Sequence, residues 1–390
     1  MNHYVYINHK DKLRQTLLIA TFLITLPFAT IAKGYFQSGT ENDFYSQFIM
    51  EPESLLLAHG SRISTSSMNI NETEIGIQPE SNSAVRLILD TDMMTDCDDV
   101  AALGILHKLA DYGEVDILAV MVSSKYPMSA PVVDVVNTYY GRPDIPIGAP
   151  KNGTGFYTPV SVFLDSLASE FPHQLESNDH APDAVKLYRK ILASESATSV
   201  VIVTIGYSSN IEQLLKSKSD NISELTGYEL VEKKVKVWIN MGGNFPVDKA
   251  IDNVNFTRDC RAAYYSINNW PGRIIFAGRE IGHSIHIGDK LRYTPLDNPV
   301  RRSYELHRGR GGRENWDHHT ADLCAIMLAV RGLSDYWDIE DGGYIDIQED
   351  CSFIWRKQTG ARQGYIIQKM DRMKLGDIME ELMIAPPKKQ

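Results

Sequence analysis

Basic surplus, cysteine and internal repetition are all in short supply in this 390-residue chain. Lys and Arg number 39 against 50 Asp and Glu, a net charge of −11. So acidic a chain is a poor general binder of nucleic acid, because phosphate neutralisation needs an excess of Lys and Arg. Four cysteines are too few for a disulfide scaffold. Cys97, Cys260, Cys324 and Cys351 make no recognisable motif, and no Cys/His pair stands at zinc spacing. No segment repeats. The remaining composition is ordinary for a globular protein, 43% hydrophobic and 23% charged. That excludes a disordered tail, a collagen-like repeat and a multi-span membrane protein. The length allows two or three domains at about 150 residues each, or one α/β domain of about 250–300 residues with extensions.

An uncharged apolar run, Leu17 to Ile31, follows Lys10, Lys12 and Arg14 and ends among small residues at Thr30 and Ala32. A basic flank, about 15 apolar residues and a small-residue end form a secretory signal pattern. Residues 1–32 are therefore expected to be a signal peptide, cleaved after Ala32. The mature protein is expected to be exported, periplasmic or secreted, without stable membrane association. An uncleaved membrane anchor is the alternative, weakened by Pro27 and by the shortness of the run. Residues 33–83, rich in Ser, Asn, Glu and Thr toward their end, read as an extension and linker. Residues 84–390 read as the catalytic domain. Export permits a disulfide, although no pairing is indicated.

From Ala84 onward, continuous apolar runs alternate with helical patterns. Val85–Leu89, Asp116–Ser123, Ile145–Gly148, Val200–Ile205, Lys234–Asn240 and Arg273–Ala277 read as buried strands. Between and after them, Asp99–Leu109, 131–140, Ala184–Leu192, Ile211–Lys216 and Thr320–Val330 read as helices. This alternation predicts an α/β fold: an open, mostly parallel, Rossmann-like sheet with helices on both faces. Ligands of such sheets sit at the carboxyl ends of the strands.

The first strand runs into Asp90-Thr-Asp-Met-Met-Thr-Asp-Cys-Asp-Asp99, five carboxylates in ten residues. Like charges this close raise one another's pKa values, and a cation removes that penalty. Carboxylate ligands suit a hard divalent cation such as Ca²⁺ or Mg²⁺. A single Asp here would read as a helix cap; five point to a metal. Two acidic motifs fail on these residues. A haloacid-dehalogenase-type phosphatase wants Thr or Val where Met94 stands, and Met94-Thr95 breaks the EF-hand pattern.

The segment resembles the nucleoside hydrolase family, of the inosine–uridine-preferring type. Asp90-Thr-Asp92 and Asp98-Asp-Val-Ala-Ala-Leu103 are similar to the two halves of its signature, with a spacer two residues longer that contains Asp96. Asp96 or Asp98 takes the first place of the dyad, and Asp98 is preferred because Asp99 then leads directly into the helix. Further along, Val203-Thr-Ile-Gly-Tyr-Ser-Ser-Asn210 resembles the turn whose residue before the glycine, here Ile205, gives a backbone carbonyl to the metal. Met241-Gly-Gly-Asn244, Asn255 with Asp259, Trp270 to Gly278 with the following His283, and Asn315-Trp-Asp317 continue the likeness over roughly residues 85–335. Asn253 stands where the family has a Glu that grips the sugar's 5′ side.

The resemblance implies a Ca²⁺-dependent hydrolase that cleaves the N-glycosidic bond of purine or pyrimidine ribonucleosides, a salvage reaction, often as a dimer or tetramer. It implies Ca²⁺ held by Asp92, Asp99, the Ile205 carbonyl and Asp317. Asp92 is then the general base, Asp98 and Asn255 bind ribose hydroxyls, and Asn244 and Asn253 are further sugar contacts. Trp316 occupies the place of a His that protonates the leaving base in some members. A Trp stacks on a base but cannot protonate it, so the donor is open among His283, His318, His319 and Tyr207. Trp316 reads more readily as core than as a ligand contact. Two other functions are compatible: a hydrolase of another N-riboside or pentose glycoside, and a non-catalytic Ca²⁺-dependent sugar-binding protein. Arg308-Gly-Arg-Gly-Gly-Arg313 is read as a site-edge loop rather than an RNA-binding segment, given the net charge.

Overall fold

The computed structural model describes residues 83–94, 96–151, 163–246, 254–308 and 315–388, all within the unit Asn69–Gln390. The expected signal peptide, and the expected linker up to residue 82, lie outside the described residues. No helix among the described residues is long and apolar enough to cross a membrane.

The β-branched runs form the strands. β1 (Val85–Thr91), β2 (Val115–Val122), β3 (Ile147–Gly148), β4 (Val200–Thr204), β5 (Val235–Met241) and β6 (Ile274–Ala277) are parallel, in the spatial order 3-2-1-4-5-6. β7 (His286–Ile287) and β8 (His318–His319) make a separate antiparallel ribbon. β9 (Trp337–Ile347), β10 (Phe353–Lys357) and β11 (Gln363–Gln368) extend the main sheet beyond β6. β11 is parallel to β6, while β9 and β10 run antiparallel to their neighbours. The open, mostly parallel sheet expected from the sequence is therefore observed, with an antiparallel edge that the sequence reading does not assign.

Alternation along each strand sends side chains to two faces. Leu87, Leu89, Val203 and Ile239 pack toward the helices Asp98–Asp111, Ala321–Arg331 and Arg372–Ile384. Ile88, Ile202, Trp238 and Phe276 pack toward the helices Ala184–Ser194, Ser209–Lys216 and Cys260–Asn269. Each fully buried branched or aromatic side chain contributes about 1.5–3 kcal/mol by burial, so both layers hold the sheet. A disulfide joins Cys260, at the start of its helix, to Cys351, in the turn between β9 and β10; Cys97 and Cys324 are free and buried. The spatial order reverses between β1 and β4, which opens a crevice at the carboxyl ends of these two strands.

Candidate active site

Asp90, the last residue but one of β1, is held by bonds within the fold. Its buried carboxylate accepts from Tyr188 Oη at 2.9 Å and from Asn210 Nδ2 at 3.1 and 3.2 Å. Burial pushes its pKa up to about 7. Asn210 ties β1 to β2, since its Nδ2 also donates to the Val122 carbonyl at 2.9 Å.

Beyond Asp90 the chain folds back onto the start of the helix Asp98–Asp111. Thr91 Oγ1 donates to Asp99, and the Met93 amide donates to Asp99 Oδ1 at 3.2 Å. Met93 takes the left-handed backbone, φ +34°, to make this turn. Asp98 and Asp99 form the first turn of the helix, where the exposed amides favour negative charge. Gly206, just after β4, lets the two strand ends meet. A Cβ there would lie 2.3 Å from the Asp92 nitrogen and 2.7 Å from its Cβ.

The late acid of the site is Asp322, in the first turn of the helix Ala321–Arg331. Carboxylate oxygens of Asp98, Asp99 and Asp322 lie within 4.8 Å of one another. They line a cavity of about 390 Å³ together with Asp92, Asp96, Ile205, Asn255, Arg279, His283 and His319.

Burial pushes Asp92 up to about 7, although the Tyr207 hydroxyl donates to it. Burial also holds Asp99 and Asp322 well above the usual carboxylate range, reinforced by the charges of Asp92 and Asp98. Asp98 goes the other way: burial raises it, but His319 and His318 outweigh burial and leave it below its ordinary value. Burial drives the His283 imidazole down to about 3, with His319 and Arg279 adding to the shift.

A group of carboxylates this buried is costly when ionised and unpaired. A hard divalent cation removes that cost, and the donors fit one: Asp92, Asp99 and Asp322 offer carboxylates, and Ile205 a carbonyl. The Ile205 carbonyl accepts from Asn255 Nδ2 at 3.0 Å; a carbonyl has two lone pairs, so one remains. The residues are therefore suited to Ca²⁺ or a similar oxygen-seeking ion.

Most sequence-derived site residues come together: Asp92, Asp98, Asp99, Ile205, Asn255 and His283 all face the cavity. Four do not. Asp317 is not on the cavity wall. It precedes the ribbon strand β8, and its neighbour by charge is Asp289. The two-residue strand and Thr320 separate it from the helix start, so Asp322 takes the place expected of it. Trp316 is a core residue, 6% exposed, with the Arg308 guanidinium 5.0 Å above its ring. The residue directly before the late acid is thus Ala321, not Trp316. His318 is buried behind the wall, between His307 and His319, and Asn244 is also off the cavity. Asn253 lies outside the described residues. Asp259 caps the helix Cys260–Asn269, accepting from the Ala262 amide at 3.2 Å.

Sequence reasoning missed Asp322 and Arg279. Asp322 carries a legible signal: an acid leading into Leu-Cys-Ala-Ile-Met, the pattern that already marks Asp99. Arg279 carries none, since a lone Arg after a strand is commonplace.

No family model matches this sequence, and no curated protein is similar to it. Solved structures are similar in fold. The plant nucleoside hydrolase PpNRh1 shares 18% identity over 77% of this chain and 99% of its own, with a TM-score of 0.57. An inosine–uridine-preferring nucleoside hydrolase from Bacillus anthracis shares 11% over 77% of this chain and 99% of its own, also with a TM-score of 0.57. The type III effector XopQ, solved in complex with adenosine diphosphate ribose, shares 14% over 80% of this chain and 96% of its own, with a TM-score of 0.55. The chain has the nucleoside hydrolase-like fold.

Proposed function

We propose that the protein is a Ca²⁺-dependent hydrolase of N-ribosides, acting on purine or pyrimidine nucleosides. The observation that carries this reading is the presence of Asp92, Asp99, Asp322 and Ile205 together on the wall of one cavity at the β1/β4 crevice. The fold shared with nucleoside hydrolases supports it. These four residues would hold the cation, which when bound supplies positive charge that eases the ionisation of water. Asp92 would take the water proton as general base. Asp98 and Asn255, on the cavity wall, would hydrogen-bond the ribose hydroxyls. Cleavage of the glycosidic bond passes through an oxocarbenium-like state, and the carboxylates around the sugar favour that developing positive charge. His319 and His283 are the imidazoles on the wall, and His319, beside Asp98, is the stronger candidate to protonate the departing base.

A second reading is favoured by one side chain. The Arg279 guanidinium stands on the cavity wall, where it would suit a substrate with phosphate on its sugar. XopQ, of the same fold, was solved with adenosine diphosphate ribose. Such a phosphorylated N-riboside or related glycoside belongs to the same reaction class. Export remains the favoured location, supported by the N-terminal pattern and by the Cys260–Cys351 disulfide.

The deciding experiment is release of free base and reducing sugar from a nucleoside panel that includes phosphorylated ribosides, with Ca²⁺ and with chelator. Calcium-dependent release that D92N abolishes supports the proposal. Tight sugar binding without release from any substrate would leave a binding protein and refute the hydrolase.

A further inference from the structure

We propose a second metal site: a thiophilic divalent cation of the zinc class, held by Cys97, His307 and His318 with Asp96 as the fourth ligand. Behind the cavity wall, the Cys97 thiol and one nitrogen from each imidazole lie within 4.8 Å of one another. All three residues are at least nine-tenths buried, with Cys97 0%, His307 5% and His318 5% exposed. The His307 and His318 rings meet edge to face at 4.5 Å. Asp96 Oδ1 stands 3.4 Å from His307 Nε2 and 3.9 Å from His318 Nε2.

The polar atoms here are left unsatisfied. Nε2 of His307 and Nε2 of His318 are both buried with no well-formed hydrogen bond; their nearest acceptors are Asp96 Oδ1 and, for His318, also Asp98 Oδ1 at 3.9 Å, an arrangement that leaves buried polar atoms poorly satisfied. Cys97 sits at the N-cap of the helix Asp98–Asp111, yet no side-chain bond caps that helix, so the thiol is not used there either. One ion satisfies all of them. Zinc binds sulfur at about 2.3 Å and imidazole nitrogen at about 2.0–2.1 Å, so tetrahedral ligands stand roughly 3.3–3.7 Å apart. The side chains need draw in by only about 1 Å.

Ligand chemistry separates this site from the one on the cavity. The first offers oxygen alone, which suits Ca²⁺. The second offers a thiolate and two imidazoles, which select zinc over calcium and magnesium. Four protein ligands make a closed, structural site. It would pin the loop through Asp96 and Cys97 to the helix Pro299–Arg308 and to β8. The lengthened spacer between Asp92 and Asp98 thereby acquires a purpose that the hydrolytic reading leaves unexplained. The proposal does not depend on that reading.

The test is Co²⁺ titration of the metal-free full-length chain in saturating Ca²⁺, followed by absorption spectroscopy. The expected result is one tightly held equivalent with a thiolate-to-cobalt charge-transfer band in the near ultraviolet, displaced by Zn²⁺. C97S loses the band, and C324S keeps it. H307Q, which retains the thiol, weakens affinity by at least the 10–100-fold that loss of a supporting residue costs at metal sites. D322N, aimed at the oxygen site, keeps the band, so failure here and failure of the hydrolase reading are distinguishable. Absence of a band from the wild-type chain, or a band that survives both C97S and H307Q in folded protein, overturns the site.

Discussion

Nδ1 of His319 lies 3.1 Å from Oδ2 of Asp98, and the opposite face of the cluster is closed by His283, stacked on His319 at 4.1 Å. Asp98 counters the cost of burial on the imidazole, and His319 holds the carboxylate charged in return. A cavity-facing imidazole orientated this way is suited to give a proton to a departing base. H319Q is expected to lower kcat on ordinary nucleosides on the order of 10²–10⁴-fold. It should scarcely change kcat on a nitrophenyl riboside, whose leaving group needs no proton. Equal losses on both substrates would remove His319 from that role.

Asp322 lies on the cavity wall and Asp317 does not, so the proposed calcium site takes Asp322 as its late ligand, and calcium-induced stabilisation separates the two. At calcium one hundred times its Kd, the folded wild-type chain should gain about 2.7 kcal/mol. D322N should lose this gain, read as the calcium-dependent shift in Tm. D317N should keep it in full.

The Cys260–Cys351 disulfide spans 91 residues, and in the chain-entropy account a loop of that size contributes roughly 4–5 kcal/mol. It links the helix Cys260–Asn269 to the antiparallel edge. Equilibrium unfolding in urea should show C260S destabilised by an amount of that order. A loss under about 1 kcal/mol would mean that the edge is held by its strand pairing alone.

His107 gives the fold an acid-sensitive point far from the cavity. Its Nε2 meets Asn137 Oδ1 at 2.8 Å, its ring stacks on Tyr140, and burial pulls its pKa down to about 3. In the unfolded chain an imidazole gains a proton near 6.5. Between these values the unfolded state binds more protons, so stability falls as pH drops from about 6.5 toward 3, by up to about 1.4 kcal/mol per unit. H107Q should flatten the dependence of unfolding free energy on pH in that window by about this slope. An unchanged slope would place the acid sensitivity elsewhere.

Legibility from sequence followed the physics of each element. Val200–Thr204 is buried along its whole length and reads as an unbroken β-branched run, and Val235–Met241 is broken only by Lys236 and Asn240. The acids after β1 were readable because buried strands seldom end in so many. The antiparallel edge was not, since β9 and β10 mix buried and exposed positions and their partners are set by the fold. Asp317 is the acid that the resemblance assigns, and Asp322 is not read from the sequence: β8 has only two residues and leaves no periodic trace, yet it decides which acid reaches the cavity. The Cys97–His307–His318 group was invisible for a similar reason: two of its members reach the third only through tertiary packing.

Gly206 has a consequence beyond this molecule. The space that its side chain would occupy belongs to Asp92 and to the Ser123 hydroxyl, so even a methyl group there is felt first at the Asp92 backbone. Among chains that share this fold, the residue after the β4 turn then works as a sorting mark. Those with glycine there retain room for a carboxylate set like this one. In those with anything larger, the added side chain meets the backbone that carries the acid corresponding to Asp92, in space this chain leaves open.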